Sequence, residues 1–316
     1  MTAPLAAPTT QESIAEPASG PTPAPLLPAL NLDEALATAA WRSWRGAVDI
    51  QHLTWPEMQL LPVLNGPRLD GWLADDPAAG IIKGIVRRAW SEAQVRLGLA
   101  REIFGCLHRS GCAPLTLIGA AGAYLRCLDS TAVRPVLELR VLIPRWHLPL
   151  AAAVLEAEGW LPRDACPEGD WLHRRSHILY SRNGSRLYLH WRLLEVEPRL
   201  AAACEREFLA PRSAVQAIGT EFPILAPADA LLEALSVHSE SVDALAWQAE
   251  VALVLHSVGG SIDWPRFRRV ATRFRPGLLD RLAELRALGL AVPEAVEIAQ
   301  PASSVSRLLH RVLGRA

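Results

Sequence analysis

The sequence predicts a mixed α+β fold: a small mixed sheet embedded between an N-terminal and a C-terminal helical segment. Three observations carry this expectation. Residues 115–143 read as a short apolar strand, a glycine, an Ala-rich helix and a second strand. Asn183-Gly184 separates two short runs, 177–182 and 185–193, and this dipeptide favours the type I′ turn of a two-residue β-hairpin. Both flanks have helical periodicity. Ala93, Leu97, Ala100, Phe104 and Leu107 form one stripe, and Leu278, Leu282, Leu285 and Leu288 another.

Composition sets the outer limits. The chain has 316 residues, half of them apolar, enough for a substantial core in one large or two modest domains. A net charge of −1 gives no global pull toward nucleic acid or anionic lipid. The cations are almost all arginine, and Lys83 is the only lysine. The five cysteines, Cys106, Cys112, Cys127, Cys166 and Cys204, are widely spaced without a CxxC, which predicts free thiols in a reducing compartment. Apolar stretches are broken by charge before membrane-spanning length. Residues 1–28 have neither the basic start nor the apolar core of a secretion signal, so the expected location is cytoplasmic.

The elements follow in order. Residues 1–30 are rich in Pro, Ala, Ser and Thr and read as a disordered leader. Residues 31–112 form the N-terminal helical segment, with helices over about 32–64 and Asn31 or Asp33 as a first cap. Trp41, Trp44 and Val48 share one face there and are expected in the core. Pro and Gly residues between Pro62 and Gly80 predict an irregular connection. A long helix is expected over Ile81–Arg109, ended by Gly111. The sheet-bearing core covers 113–195, with strands at Leu115–Ile118 and Val136–Ile143, a helix over 148–158, and the hairpin. A two-residue turn pairs Arg182 with Ser185, Leu179 with Tyr188 and His177 with His190. From Pro198 onward the chain reads as helical, within a C-terminal region of 196–316. Its helices are expected from Pro227, at 243–258, at 265–273, along the Leu278 stripe, and in an amphipathic tail through Val305 and Leu308.

The chemistry-bearing residues lie in a fixed order. Strand side chains alternate, so Glu138 and Arg140 share one face while Leu137, Leu139, Val141 and Ile143 fill the other. The order is Leu117-Ile118-Gly119, then Arg134, then Glu138 and Arg140 followed by Val141 and Leu142, then Tyr188-Leu189-His190-Trp191. Leu231–His238 and Ile262-Asp263-Trp264 follow. Over roughly 90–295 this pattern resembles the uncharacterised bacterial nucleotidyltransferase family, within the polymerase-beta-like superfamily. That family carries Leu-Lys-Gly, an Arg, Asp-hydrophobic-Asp, and an acid before Leu-His-Trp. Here Ile118 replaces the Lys, Glu138 and Arg140 replace the Asp pair, and Tyr188 replaces the later acid.

The resemblance implies a nucleotidyltransferase-like fold with a degenerate acidic motif. Magnesium-dependent transfer needs two or three carboxylates around the metal, and Glu138 alone remains as a catalytic candidate. A guanidinium two residues away, roughly 6–7 Å by strand rise, repels Mg2+ and stays charged. The expectation is therefore a non-catalytic protein that binds a nucleotide or other phosphorylated ligand, or serves a protein partner. Gly119, Arg134, Arg140, Tyr188 and His190 are its ligand-binding candidates, with Arg186 and Arg192 as further cations. A local Glu138–Arg140 ion pair is an equal reading of the same residues. The alternative is an active enzyme moving a nucleoside monophosphate from an NTP to an acceptor. It would use Mg2+, Glu138 and acids recruited from Asp129, Asp164 or Asp170. A metal bound by His177, His190 and Glu138 or His173 is disfavoured against packed histidines. The stripe Arg266, Arg269 and Arg273, with Arg268 and Arg275 nearby, reads as a solvated helix face rather than a nucleic-acid surface.

Overall fold

The computed structural model describes residues 26–31, 33–128, 132–163, 172, 175–208, 213–236, 246–287, 290 and 292. Helix α1 spans Glu34–Ala47 and is capped by Asp33, whose carboxylate accepts the Leu36 N–H at 3.0 Å. Trp41 and Trp44 are buried, as expected. Trp44 Nε1 donates to Glu57 at 2.7 Å, and the other Glu57 oxygen accepts from Thr54 N and Oγ1. That capping box opens α2, Trp55–Leu60. Within the stretch read as an irregular connection, Pro67–Trp72 forms a short helix, α3, with Pro67 at its first position.

The leader expected through residue 30 is corrected at its end. Leu26 is 1% exposed and Leu27 2%, and Leu27–Leu30 form a 3-10 turn packed against α1. The run Leu26-Leu27-Pro28-Ala29-Leu30 holds enough apolar surface to offset its ordering entropy. The rest of the leader lies outside the described residues, as does the tail after 301.

Helix α4 runs Ala79–Arg109 and buries the predicted stripe. It ends in a Schellman motif: Cys112 N bonds Leu107 O at 3.0 Å, Gly111 N bonds His108 O at 2.9 Å, and Gly111 takes φ +84°. Strand β1, Thr116–Ile118, leads into α5, Gly119–Arg126. Strand β2 covers Leu139–Leu142, shorter than the expected 136–143; its ladders reach Leu139–Leu142 on β5 and Arg140–Leu142 on β1. Helix α6 is Leu148–Ala157, and β3, Leu161–Pro162, returns to the sheet edge. The hairpin β4, His177–Arg182, and β5, Ser185–His190, has the predicted register, with Arg182 opposite Ser185 and His177 opposite His190. Asn183 and Gly184 both have positive φ, as a type I′ turn requires.

The region read as helical from Pro198 is not wholly so. Helix α7, Ala201–Glu207, is followed by a second hairpin, β6 Ser213–Ala217 and β7 Thr220–Ile224. Its turn, Ile218-Gly219, also has positive φ at both residues, but Ile is an unusual choice there. Only Phe222 and Ile224 of this hairpin are buried, so the alternation signal was weak. Helices α8 Pro227–Ser236, α9 Ala246–Val258, α10 Trp264–Phe274 and α11 Gly277–Ala287 complete the described fold.

Among the described residues, seven strands form one mixed sheet, order β3-β4-β5-β2-β1-β7-β6. β2–β5 and β1–β7 pair in parallel, the others antiparallel. Helix α5 lies on β1 and β2, α4 and α9 pack against it, and α8 joins α9, α10 and α11. The close approach of α5 needs Gly122, where a Cβ would sit 2.8 Å from the Leu117 carbonyl oxygen. Among the described residues, no helix is long and apolar enough to cross a membrane.

Candidate functional site

The central strands arrange the site by register. Ile118, Arg140, Tyr188 and Leu179 are aligned across four strands, and Thr116, Leu142, His190 and His177 form the next row on the same face. Leu117, Val141, Leu189 and Ile178 lie between them, facing the other way, and are buried. Glu138 immediately precedes β2 and turns its carboxylate onto the Arg140 face. The structure thus brings Glu138, Arg140, Tyr188 and His190 to one face.

Arg140 is the centre of that face. Its Nε and one terminal nitrogen donate to Glu138 Oε1 at 2.9 and 2.7 Å. Its other terminal nitrogen is 3.6 Å from Glu233 of α8. Its guanidinium carbon stands 5.8 Å from the Tyr188 ring centroid. Arg186 approaches the second Glu138 oxygen at 3.8 Å. The aliphatic stem of Arg140 crosses Gly119, where a Cβ would lie 2.9 Å from Cδ and where φ is +65°. Gly119 therefore both permits the left-handed turn into α5 and leaves room for the arginine stem. Its backbone N–H favours the charged form of the Glu233 carboxyl.

A second arginine extends the network inward. Arg134 is buried and donates to Glu250 of α9 at 2.8 Å and to Gln59 at 3.3 Å. Glu233 and Glu250 lie close enough to repel each other. Burial, reinforced by Glu250, pushes the Glu233 carboxyl up to about 7, against the opposing pull of Arg140, the Gly119 N–H and Arg134. Burial disfavours the charge on Arg140, but Glu138, Glu233 and Glu250 outweigh it and raise its pKa above the ordinary value. His190 is held well below the usual histidine range by burial first, then by His177 and Arg140. It is neutral at physiological pH, with its ring 4.9 Å from that of His177.

Of the four arginines expected to converge, Arg140 and Arg186 meet at Glu138, and Arg134 joins behind them through Glu250. Arg192 does not join them. It follows the end of β5, is buried, and donates to the Arg175 carbonyl. The arginine stripe on α10 is not simply a solvated face. Arg266 binds Asp229 and Glu207, both at 2.9 Å, and Arg269 binds Glu207, tying α10 to α7 and α8. Asp129, Asp164, Asp170, His173 and Cys166 lie outside the described residues.

Sequence reasoning missed Glu233 and Glu250. Each is a lone carboxylate in an apolar helical run, Leu231-Leu232-Glu233-Ala234-Leu235 and Ala249-Glu250-Val251-Ala252. A buried acid needs a partner, and that was the available signal.

The arrangement does not fit magnesium. The carboxylates of Glu138 and Glu233 that would face a metal both face the Arg140 guanidinium. Among the described residues, no three His, Cys, Asp or Glu side chains are grouped to hold a metal ion. The void bounded by Gly119, Gly122, Glu233 and Glu250 is about 10 Å3, room for a single water at most. Access to the charged face is from the Glu138, Arg140 and Arg186 edge, where Arg186 is half exposed.

A family model described as an uncharacterised nucleotidyltransferase matches residues 77–282. No curated protein gives a significant match. Among solved structures, the solution structure of the antibiotic-resistance factor ANT(2'')-Ia is similar, at 15% identity over 61% of this chain and 96% of that chain, with a TM-score of 0.39.

Proposed function

Because the chain belongs to the uncharacterised nucleotidyltransferase family, we propose that it is a non-catalytic member whose acidic centre is neutralised by its own arginine. The observation that carries this reading is the Arg140 guanidinium, 2.7 Å from Glu138 and 3.6 Å from Glu233. Nucleotidyl transfer relies on positioned positive charge that accepts phosphate and pyrophosphate oxygens and exchanges water. A tethered guanidinium supplies charge and directional donors but has no open coordination positions. It cannot activate an acceptor hydroxyl by coordinating it, and neither Tyr188 nor neutral His190 adds a negative charge.

The same cations support a weaker, metal-free role. Arg140 and Arg186 present N–H groups at the exposed edge beside Glu138, and guanidinium forks match phosphate oxygens. A phosphorylated ligand docking there would displace Glu138 from Arg186, with Gly119, Tyr188 and His190 forming the wall behind it. The buried Arg134 acts indirectly, by holding Glu250.

Calorimetry with NTPs, with and without magnesium, tests this reading. Binding that ignores magnesium and is lost in Arg140→Ala supports it. Pyrophosphate release that requires both magnesium and Glu138 refutes it and restores the enzyme. One observation favours that second reading: Glu138 and Glu233 face each other across a single cation, as a metal's carboxylates would. Displacement of Arg140 would then open the site.

A further inference from the structure

At the far end of α5 from Gly119 lies a cavity of about 510 Å3, unconnected with the Arg140 face. Its size falls in the ~300–1,000 Å3 range of small-molecule sites. One wall is a single face of α4, where Lys83, Arg87, Trp90 and Gln94 follow at helical spacing. The opposite wall includes Tyr124 of α5, and Asp70 of α3 stands at the rim.

Four features point to a ligand. Trp90 is 50% exposed, although it sits on the helix that builds the core. An indole face left open beside a cavity is a stacking platform for a planar ring. Arg87 is exposed and, among the described residues, has no side-chain hydrogen bond or ion pair, whereas its neighbour Arg88 is paired with Glu92 at 2.8 Å. Lys83, the only lysine in the chain, adds a second cation one turn away and is only loosely paired with Asp70 at 3.2 Å, both being more than half exposed. Deeper in the wall, Gln94 Nε2 donates to the Tyr124 hydroxyl at 2.8 Å. That leaves the Gln94 carbonyl oxygen as acceptor and the phenol hydrogen as donor, a pair suited to a heterocycle edge.

We propose that this cavity binds a nucleoside monophosphate. The base stacks on Trp90, its edge meets Gln94 and Tyr124, and the phosphate lies between Arg87 and Lys83. One phosphate carries about −1.5 to −2 charge at neutral pH, which two cations match. A triphosphate would exceed them and meet the Asp70 carboxylate at the rim. The site would act without metal and independently of the Glu138–Arg140 face.

Titration calorimetry of the full chain with AMP tests this, with adenosine and inorganic phosphate as separate arms. AMP is expected to bind, and each fragment to bind at least tenfold more weakly. Trp90→Ala and Arg87→Ala are each expected to weaken AMP about tenfold. Both residues are exposed on a helix, so these variants are expected to keep the native melting temperature. Arg88→Ala, one residue from the cavity face, should leave AMP affinity unchanged. Absence of AMP heat at millimolar concentration overturns the proposal. So does binding that survives Trp90→Ala but is lost in Arg140→Ala or Arg186→Ala, because it would then belong to the central face. Adenosine binding as tightly as AMP would remove the phosphate role of Arg87 and Lys83 and also overturn it.

Discussion

Replacing Glu233 with glutamine should flatten the pH dependence of stability. Glu233 is buried beneath Arg140 with its carboxyl moved from 4.5 to about 7. Its folded-state pKa is raised, so the native protein binds the proton more tightly than the unfolded chain. The associated stability is fully present below pH 4.5 and is lost as the pH rises through 7. The displacement corresponds to about 3 kcal/mol between the two protonation states. His190 slopes the other way. Its pKa is depressed below the ordinary 6.5, so its contribution is present above that value and is lost as the pH falls. Because His190 is common to both proteins, it cancels in their difference. Urea unfolding of both proteins from about pH 4 to pH 8 isolates Glu233. The glutamine variant should gain on the wild type by up to about 3 kcal/mol across that interval. Any constant offset reflects the lost Arg140 contact, not titration. A stability difference that stays flat from acid to base would show that Glu233 is already ionised and would refute the argument.

Three other substitutions test separate parts of the structure. Gly119→Ala places a Cβ 2.9 Å from Arg140 Cδ at φ +65°, and should cost about 1–3 kcal/mol in denaturant melts. Arg134→Ala leaves Glu250 buried without its guanidinium partner; a loss of about 3–5 kcal/mol is expected, partly recovered by adding Glu250→Gln. Leu27→Ala should destabilise by about 2–5 kcal/mol, because Leu27 is only 2% exposed, whereas a disordered leader would make it neutral in a thermal melt.

The central sheet was legible because its signals are local. The Asn183-Gly184 turn sets the β4–β5 register, and alternation sets which face Arg140 and Tyr188 share. The Gly111 ending of α4 was legible for the same reason. The β6–β7 hairpin was not, since it buries little and turns at Ile218-Gly219. Burial of Leu26 and Leu27 was missed because composition was averaged over residues 1–30, which hides a short apolar run at the end. The Glu138–Arg140 pair was legible from alternation, but the helix-borne partners Glu250 of Arg134 and Glu233 of Arg140 were hidden for a different reason. Periodicity predicts which helix faces are buried, but it does not say that Glu233 of one helix and Glu250 of another will meet arginines from before and within a strand far upstream.

That separation bears on how the protein is made. Arg134 and its partner Glu250 are 116 residues apart in the chain, and synthesis proceeds from the N-terminus at about 5–20 residues per second. Each nascent chain therefore exposes Arg134 for several seconds before Glu250 is synthesised. Burying an unpaired guanidinium is costly, so the central strands have reason to stay hydrated and open until α8 and α9 arrive. Closure of the centre is thereby tied to completion of the C-terminal helices, and a chain truncated before Glu250 would be marked by an unfinished, solvent-accessible core.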